Sequence, residues 1–141
     1  LKDSMNMGAC MAPAACDTIC GHLDDFGRQP SDYDAVITGD LGSVGQTILL
    51  ELAKKRGYDL KDRHLDCGML IFDPEAQDTH AGGSGCACSA VTLAAYLLPK
   101  LEKGEWKRIL FVPTGALLST VSYNEGQSVP GIAHAVVIEH C

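Results

Sequence analysis

The stretch DAVITGDLGSVGQTILLELAKKRG, residues 34–57, does most to restrict the fold. DAVITG at 34–39 is short, apolar and β-branched, and it stops at glycine. It shows no polar alternation, so it reads as a strand covered on both faces. Such strands belong to parallel sheets layered with helices. LGSVGQTILLELAKKRG then predicts a helix, because Val44, Ile48, Leu49 and Leu52 fall on one face and Gly57 is a natural stop. The one local basic run, AKKRG at 53–57, lies at that helix's end, where cations complement the dipole.

The flanking segments extend the pattern. NMGACMAPAACDTICGHLDDFG carries Met7, Met11, Ala14, Ala15, Thr18 and Ile19 at helical spacing. Pro13 must lie in its first turn or kink it, and Gly21 or Gly27 ends it. GRQPSDYD reads as a loop, as does DLKDRHLDCG. MLIFD at 69–73 reads as a short second strand ending at Pro74. A helix is expected from about Ser84 to Lys103. KRILFVPTG at 107–115 and IAHAVVIEH at 132–140 read as strands. The polar connection LLSTVSYNEGQSVPG between them carries no helical pattern, so they are expected to pair antiparallel. The expected fold class is α/β, a layered αβα domain with a mixed sheet ending in two antiparallel strands. At 141 residues, a single domain spanning 1–141 with a real core is expected.

Charge and apolar lengths narrow the function. Against 11 basic residues stand 18 acidic ones, a net charge of −7, which argues against nucleic acid as a partner. No apolar stretch reaches the length that spans a bilayer, and no signal peptide is visible. The chain starts at Leu1 rather than Met, so a fragment, or a chain whose start was removed, is expected. The 7 cysteines read as reduced, cytosolic thiols. Cys16 and Cys20 share a helical face, but no partner pair with zinc spacing accompanies them.

Two glycine-bearing turns hold the chemical candidates. Asp40 sits after a strand and before a helix, at the sheet edge where ligands of open α/β sheets bind. Gly39, Gly42 and Gly45 are spaced G-x-x-G-x-x-G, which is not a nucleotide fingerprint. The plainer role for Asp40 is to cap the following helix. In DTHAGGSGCACSAV, His80, Gly82 and Gly83 precede the helix expected to begin near Ser84, where free amides suit an anion. Cys86 and Cys88 lie there too, but they cannot share a helix face and have no evident base. His134 is expected as a core or interface histidine beside Ile132 and Val136. His22 and His64 lie in polar surroundings without a motif.

Four blocks carry a family resemblance: NMGACMAPAACDTI, DYDAVITGDLGSVG, DTHAGGSGCACSAV, and ILFVPTGALLS followed by SVPGIAHAVVIE. Together, in consistent order, they resemble the C-terminal half of the stage V sporulation protein AD family of spore-forming bacteria. That family is similar in fold to thiolases and ketoacyl synthase III enzymes, so the resemblance implies one thiolase-like half whose N-terminal half is absent. The enzymes' nucleophilic cysteine lies in that absent half. Their histidine corresponds to Gly39 or Asp40 here, and their asparagine to Gly82 or Gly83. The resemblance therefore implies a non-catalytic protein without cofactor or metal, and a ligand site around Asp40, His80, Gly82, Gly83 and Ser84. The implied ligand is dipicolinic acid, possibly with calcium, taken up into the developing spore. The implied partners are membrane proteins of the same operon and a second copy in a homodimer. The implied location is the cytoplasmic side of the inner spore membrane, which the chain would not span. A divergent acyl-thioester condensing enzyme and a scaffold for membrane partners are the alternatives. An isolated half is expected to expose an apolar patch.

Overall fold

The computed structural model describes residues 2–3, 5–82 and 85–141. Its frame is a four-stranded mixed sheet in the order β2-β1-β3-β6. Strand β1 (Ala35–Thr38) runs parallel to β2 (His64–Asp66) on one side and β3 (Arg108–Val112) on the other. Strand β6 (Val136–Glu139) closes the far edge antiparallel to β3. Side chains alternate across the pleat. Val36, Leu110 and Val112 enter one apolar cluster, and Ala35, Ile37, Ile109 and Phe111 enter another on the opposite face. The sheet is thus covered on both sides, as the uninterrupted apolar run of β1 requires.

Helix α1 (Met7–Phe26) and helix α2 (Gly42–Lys55) cover the first face. Asn6 caps α1 by accepting the Ala9 amide, and the left-handed Gly27 ends it. Pro13 lies inside α1, beyond its first turn, and the helix continues to Phe26. Ala12, Ala15, Cys16, Ile19, Cys20 and Leu23 are buried along it. Small residues set how closely α1 and α2 approach: a Cβ on Gly45 would lie 2.9 Å from the Gly8 Cα. Lys54 and Lys55 occupy the last turn of α2, where their charge suits the dipole.

The second face is covered by broken helical pieces. The apolar run at 69–73 is not a strand: Asp66 accepts the Met69 amide and winds helix α3 (Cys67–Ile71). The strand lies just before it, inside the segment read as a loop, and its polar residues are buried through hydrogen bonds. Helix α4 (Pro74–Gln77) follows, capped by Asp73. The long helix expected from Ser84 begins instead at Cys88, with Cys86 and Ala87 in a turn; Gly83 and Ser84 lie outside the described residues. It runs as α5 (Cys88–Thr92), a π turn (Leu93–Leu97) and α6 (Leu98–Glu102). Pro99 has no amide hydrogen for the carbonyl one turn back. The Leu98 amide reaches the Leu93 carbonyl instead, and the helix widens to fit the proline.

Each of the last two expected strands is split. Pro113 separates β3 from β4 (Thr114–Ala116), and His134–Ala135 separates β5 (Gly131–Ala133) from β6. The antiparallel pairing holds in both halves, but β4 and β5 form their own two-stranded sheet. Two short turns of helix also stand where loops were expected: Pro30–Asp32 and α7 (Thr120–Asn124). His134 is exposed and so is not a core residue of this chain; Ile132 and Val136 beside it are likewise exposed, at 54 % and 53 %.

The close helix crossing makes a directional prediction. Gly45→Ala should destabilise the protein by about 1–3 kcal/mol, because the added methyl meets the Gly8 backbone. Gly21→Ala, with nothing within 4 Å of the added carbon, should instead stabilise it by about 0.5–1 kcal/mol. Denaturant unfolding of the two variants checks both signs.

Candidate functional site

Strands β1 and β2 and helix α2 bring four polar side chains into one hydrogen-bonded chain. Thr38, His64 and Asp66 are buried at 0 %, 6 % and 1 % exposure. Gln46, half-buried on α2, donates its amide to His64 Nδ1 at 3.1 Å. Because Gln46 Nε2 can only donate, His64 Nδ1 accepts and its hydrogen sits on Nε2. That hydrogen goes to Thr38 Oγ1 at 2.9 Å, and the Thr38 hydroxyl donates to Asp66 Oδ1 at 2.7 Å. Burial alone holds His64 neutral, pulling its pKa down to about 4.

Asp66 ends the chain and organises the turn above it. Its Oδ1 also accepts the Leu41 amide at 2.8 Å, and its Oδ2 accepts the Gly42 amide at 3.1 Å. Burial raises the carboxyl's pKa, while the donors from Thr38, Leu41 and Gly42 pull it back. Asp66, not Asp40, therefore caps the start of α2. His64 is no bystander in polar surroundings: it is a core residue of this network.

Asp40 faces the other way. Its amide donates to Thr114 Oγ1 at 3.2 Å, and its Oδ2 accepts the Gly85 amide at 3.1 Å. The loop after α4 is tied to α2 as well, through the Ser43 amide and the Ala81 carbonyl at 2.8 Å. Gly42 is required there: its φ is +65°, and a Cβ would run into the Ala81 oxygen. Gly39 also packs closely on Thr114, where a Cβ would lie 2.6 Å from its amide nitrogen. The three spaced glycines thus serve close backbone approach, two on neighbouring loops or strands and Gly45 on α1.

Asp40 and Gly82 line one cavity of about 380 Å³, together with Asp3, Asn6 and Val44. His80 does not share it. It lies exposed in a smaller cavity of about 130 Å³ with Gly82 and Met69, its Nε2 3.7 Å from Asp78 Oδ1. Gly82 borders both. Gly83 and Ser84 fall outside the described residues. His80 and Asp78 both take left-handed backbone, at φ 51°, which is uncommon outside glycine.

The thiols divide by burial. Cys88 is buried and donates to the Gly39 carbonyl at 3.4 Å, whereas Cys86 is exposed. Burial pushes the Cys67 and Cys20 thiols up to about 12, which leaves them protonated and poor nucleophiles at neutral pH. Cys16 and Cys20 pack thiol to thiol at 3.8 Å in the core. No group of three His, Cys, Asp or Glu among the described residues could hold a metal ion. Sequence reasoning reached Asp40 and the glycines but missed Thr38, Gln46, His64 and Asp66. One available signal was the polar HLD triplet one short turn ahead of an apolar run.

The family model described as stage V sporulation protein AD matches residues 1–139. The stage V sporulation protein AD of Bacillus subtilis (strain 168) is 45 % identical over 139 residues, 99 % of this chain. The chain spans 41 % of that relative's length.

The neutral buried imidazole sets a pH dependence. His64 has a folded pKa below its ordinary value, so the unfolded chain binds the extra proton first. Its contribution is fully present above about pH 6.5 and is lost as pH falls toward 4, by up to about 3 kcal/mol. Urea midpoints across that range should fall more steeply in the parent than in His64→Gln.

Proposed function

The chain belongs to the stage V sporulation protein AD family, and from that premise we propose that it serves spore formation as a non-catalytic binding protein for dipicolinic acid or its calcium chelate. The observation that carries the reading is 45 % identity across nearly the whole chain, joined to a cavity of about 380 Å³ at Asp40 and Gly82. The small residues Gly8, Ala81 and Gly82 line that cavity and leave room for a flat aromatic acid. The carboxylates of Asp3 and Asp40 border it and would repel a bare dianion. Calcium, which takes oxygen ligands, reconciles the two charges, so the chelate is the favoured form.

In this reading the protein supports uptake of the ligand at the inner spore membrane, working with membrane proteins of the same operon. It acts peripherally. No helix among the described residues is long and apolar enough to cross a membrane.

A docking role is a second reading, favoured by exposed apolar side chains. Leu117, Val121 and Tyr123 are 67 %, 64 % and 64 % exposed, and Met69, Leu70 and Ile71 form a second run near 40 %. Such surfaces fit a membrane partner or a second copy.

The test is calorimetric titration of a full-length family member carrying this sequence with dipicolinate, with and without calcium. Heat of binding that needs calcium, weakened about tenfold by Asp40→Asn, is the expected result. Absence of heat in both conditions overturns the reading, as does acyl transfer from a coenzyme A thioester. A concentration-dependent molecular mass without ligand binding would favour docking.

A further inference from the structure

We propose that Asp66 is the positioning residue of the Asp40 site, held in place from behind by the Gln46–His64–Thr38 chain; this rests on the ligand reading of that site. Asp66 does not itself line the cavity, yet it holds the turn that does, through the lining residue Leu41. Its two oxygens accept the amides of Leu41 and Gly42, the residues directly after Asp40. It therefore fixes the turn on the C-terminal side of Asp40, whose own amide and carboxylate are held by Thr114 and the Gly85 amide. On the other side, Gly68 passes so close to Asp40 that a Cβ there would collide with Oδ1. Asp66 also caps α3, which carries Gly68, through the Met69 amide. One buried carboxylate thus sets both walls against which Asp40 rests.

The rest of the chain gives Asp66 a single orientation. The Thr38 hydroxyl accepts from His64 Nε2–H and can donate once; Asp66 Oδ1 at 2.7 Å outcompetes the Leu65 carbonyl at 3.5 Å for that hydrogen. His64 is held to that tautomer by the Gln46 donor. A plain helix cap needs none of this, since a carboxylate can satisfy the Leu41 and Gly42 amides alone. The extra three residues restrict the carboxylate's rotation, which is what positioning requires and capping does not.

Two substitutions at Thr38 separate the roles. Thr38→Val keeps the shape and removes the hydroxyl, and Thr38→Ser restores it. Two readouts apply: calcium-dependent dipicolinate affinity in the full-length protein, and the amide resonances of Leu41 and Gly42. The valine variant should bind about tenfold more weakly and shift both resonances, and the serine variant should recover both. A lower melting temperature with affinity unchanged overturns the proposal, whether or not the resonances move. A parent protein without affinity sinks the ligand reading instead, and the two amide resonances then decide the positioning alone. Should Thr38→Val fail to fold, Gln46→Leu replaces it, with the His64 ring nitrogens as readout. An unchanged tautomer together with unmoved Leu41 and Gly42 resonances would overturn the proposal.

Discussion

A single buried carboxylate holds the working end of this molecule together. Asp66 sits at the end of β2 with 1 % exposure and accepts hydrogen bonds from Thr38, Leu41, Gly42 and Met69. Those donors come from the end of β1, the start of α2 and the first turn of α3. An ionised group at that depth is costly unless several donors surround it. The sheet edge, both helix starts and the turn after Asp40 therefore share one set of hydrogen bonds to Asp66. A half-satisfied network of this kind would be worse than an apolar one.

The other organising constraint is the absence of side-chain bulk. Gly8 and Gly45 let α1 and α2 touch backbone to backbone, Gly39 lets the first turn meet Thr114, and Gly42 lets it meet Ala81. Gly131 does the same for the small second sheet, where a Cβ would lie 2.5 Å from the Cys10 carbonyl. The low aromatic content, 6 %, has its explanation here: the layers are spaced for alanine, cysteine and glycine. Large side chains are kept for the two faces of the sheet, as with Ile37, Leu110 and Ile109.

Much of this architecture was readable from residues alone, and the failures have specific causes. The apolar β1 run and the amphipathic α2 are strong local signals, and both elements form where expected. β2 was invisible because a strand of three residues with two polar side chains has no hydrophobic signature; its burial depends on partners 26 and 28 residues away in sequence. The neighbouring MLIFD looks like a strand on apolar content, but a capping carboxylate three residues earlier winds its start into a helix. His134 followed an alternating pattern that the break at His134–Ala135 interrupts. Of the site, Asp40 and Gly82 meet at one cavity and His80 does not. Periodicity cannot see a loop's left-handed turns, and those turns decide where His80 points.

The burial of thiols has a practical side. Five of the seven cysteines are enclosed, and only Cys86 and Cys141 reach solvent. A thiol-reactive dye would therefore find two addresses on an otherwise unmodified chain. One is Cys141. The other is next to the Gly85 amide that Asp40 holds, so a fluorophore placed there would sense what happens at the turn without any engineered mutation.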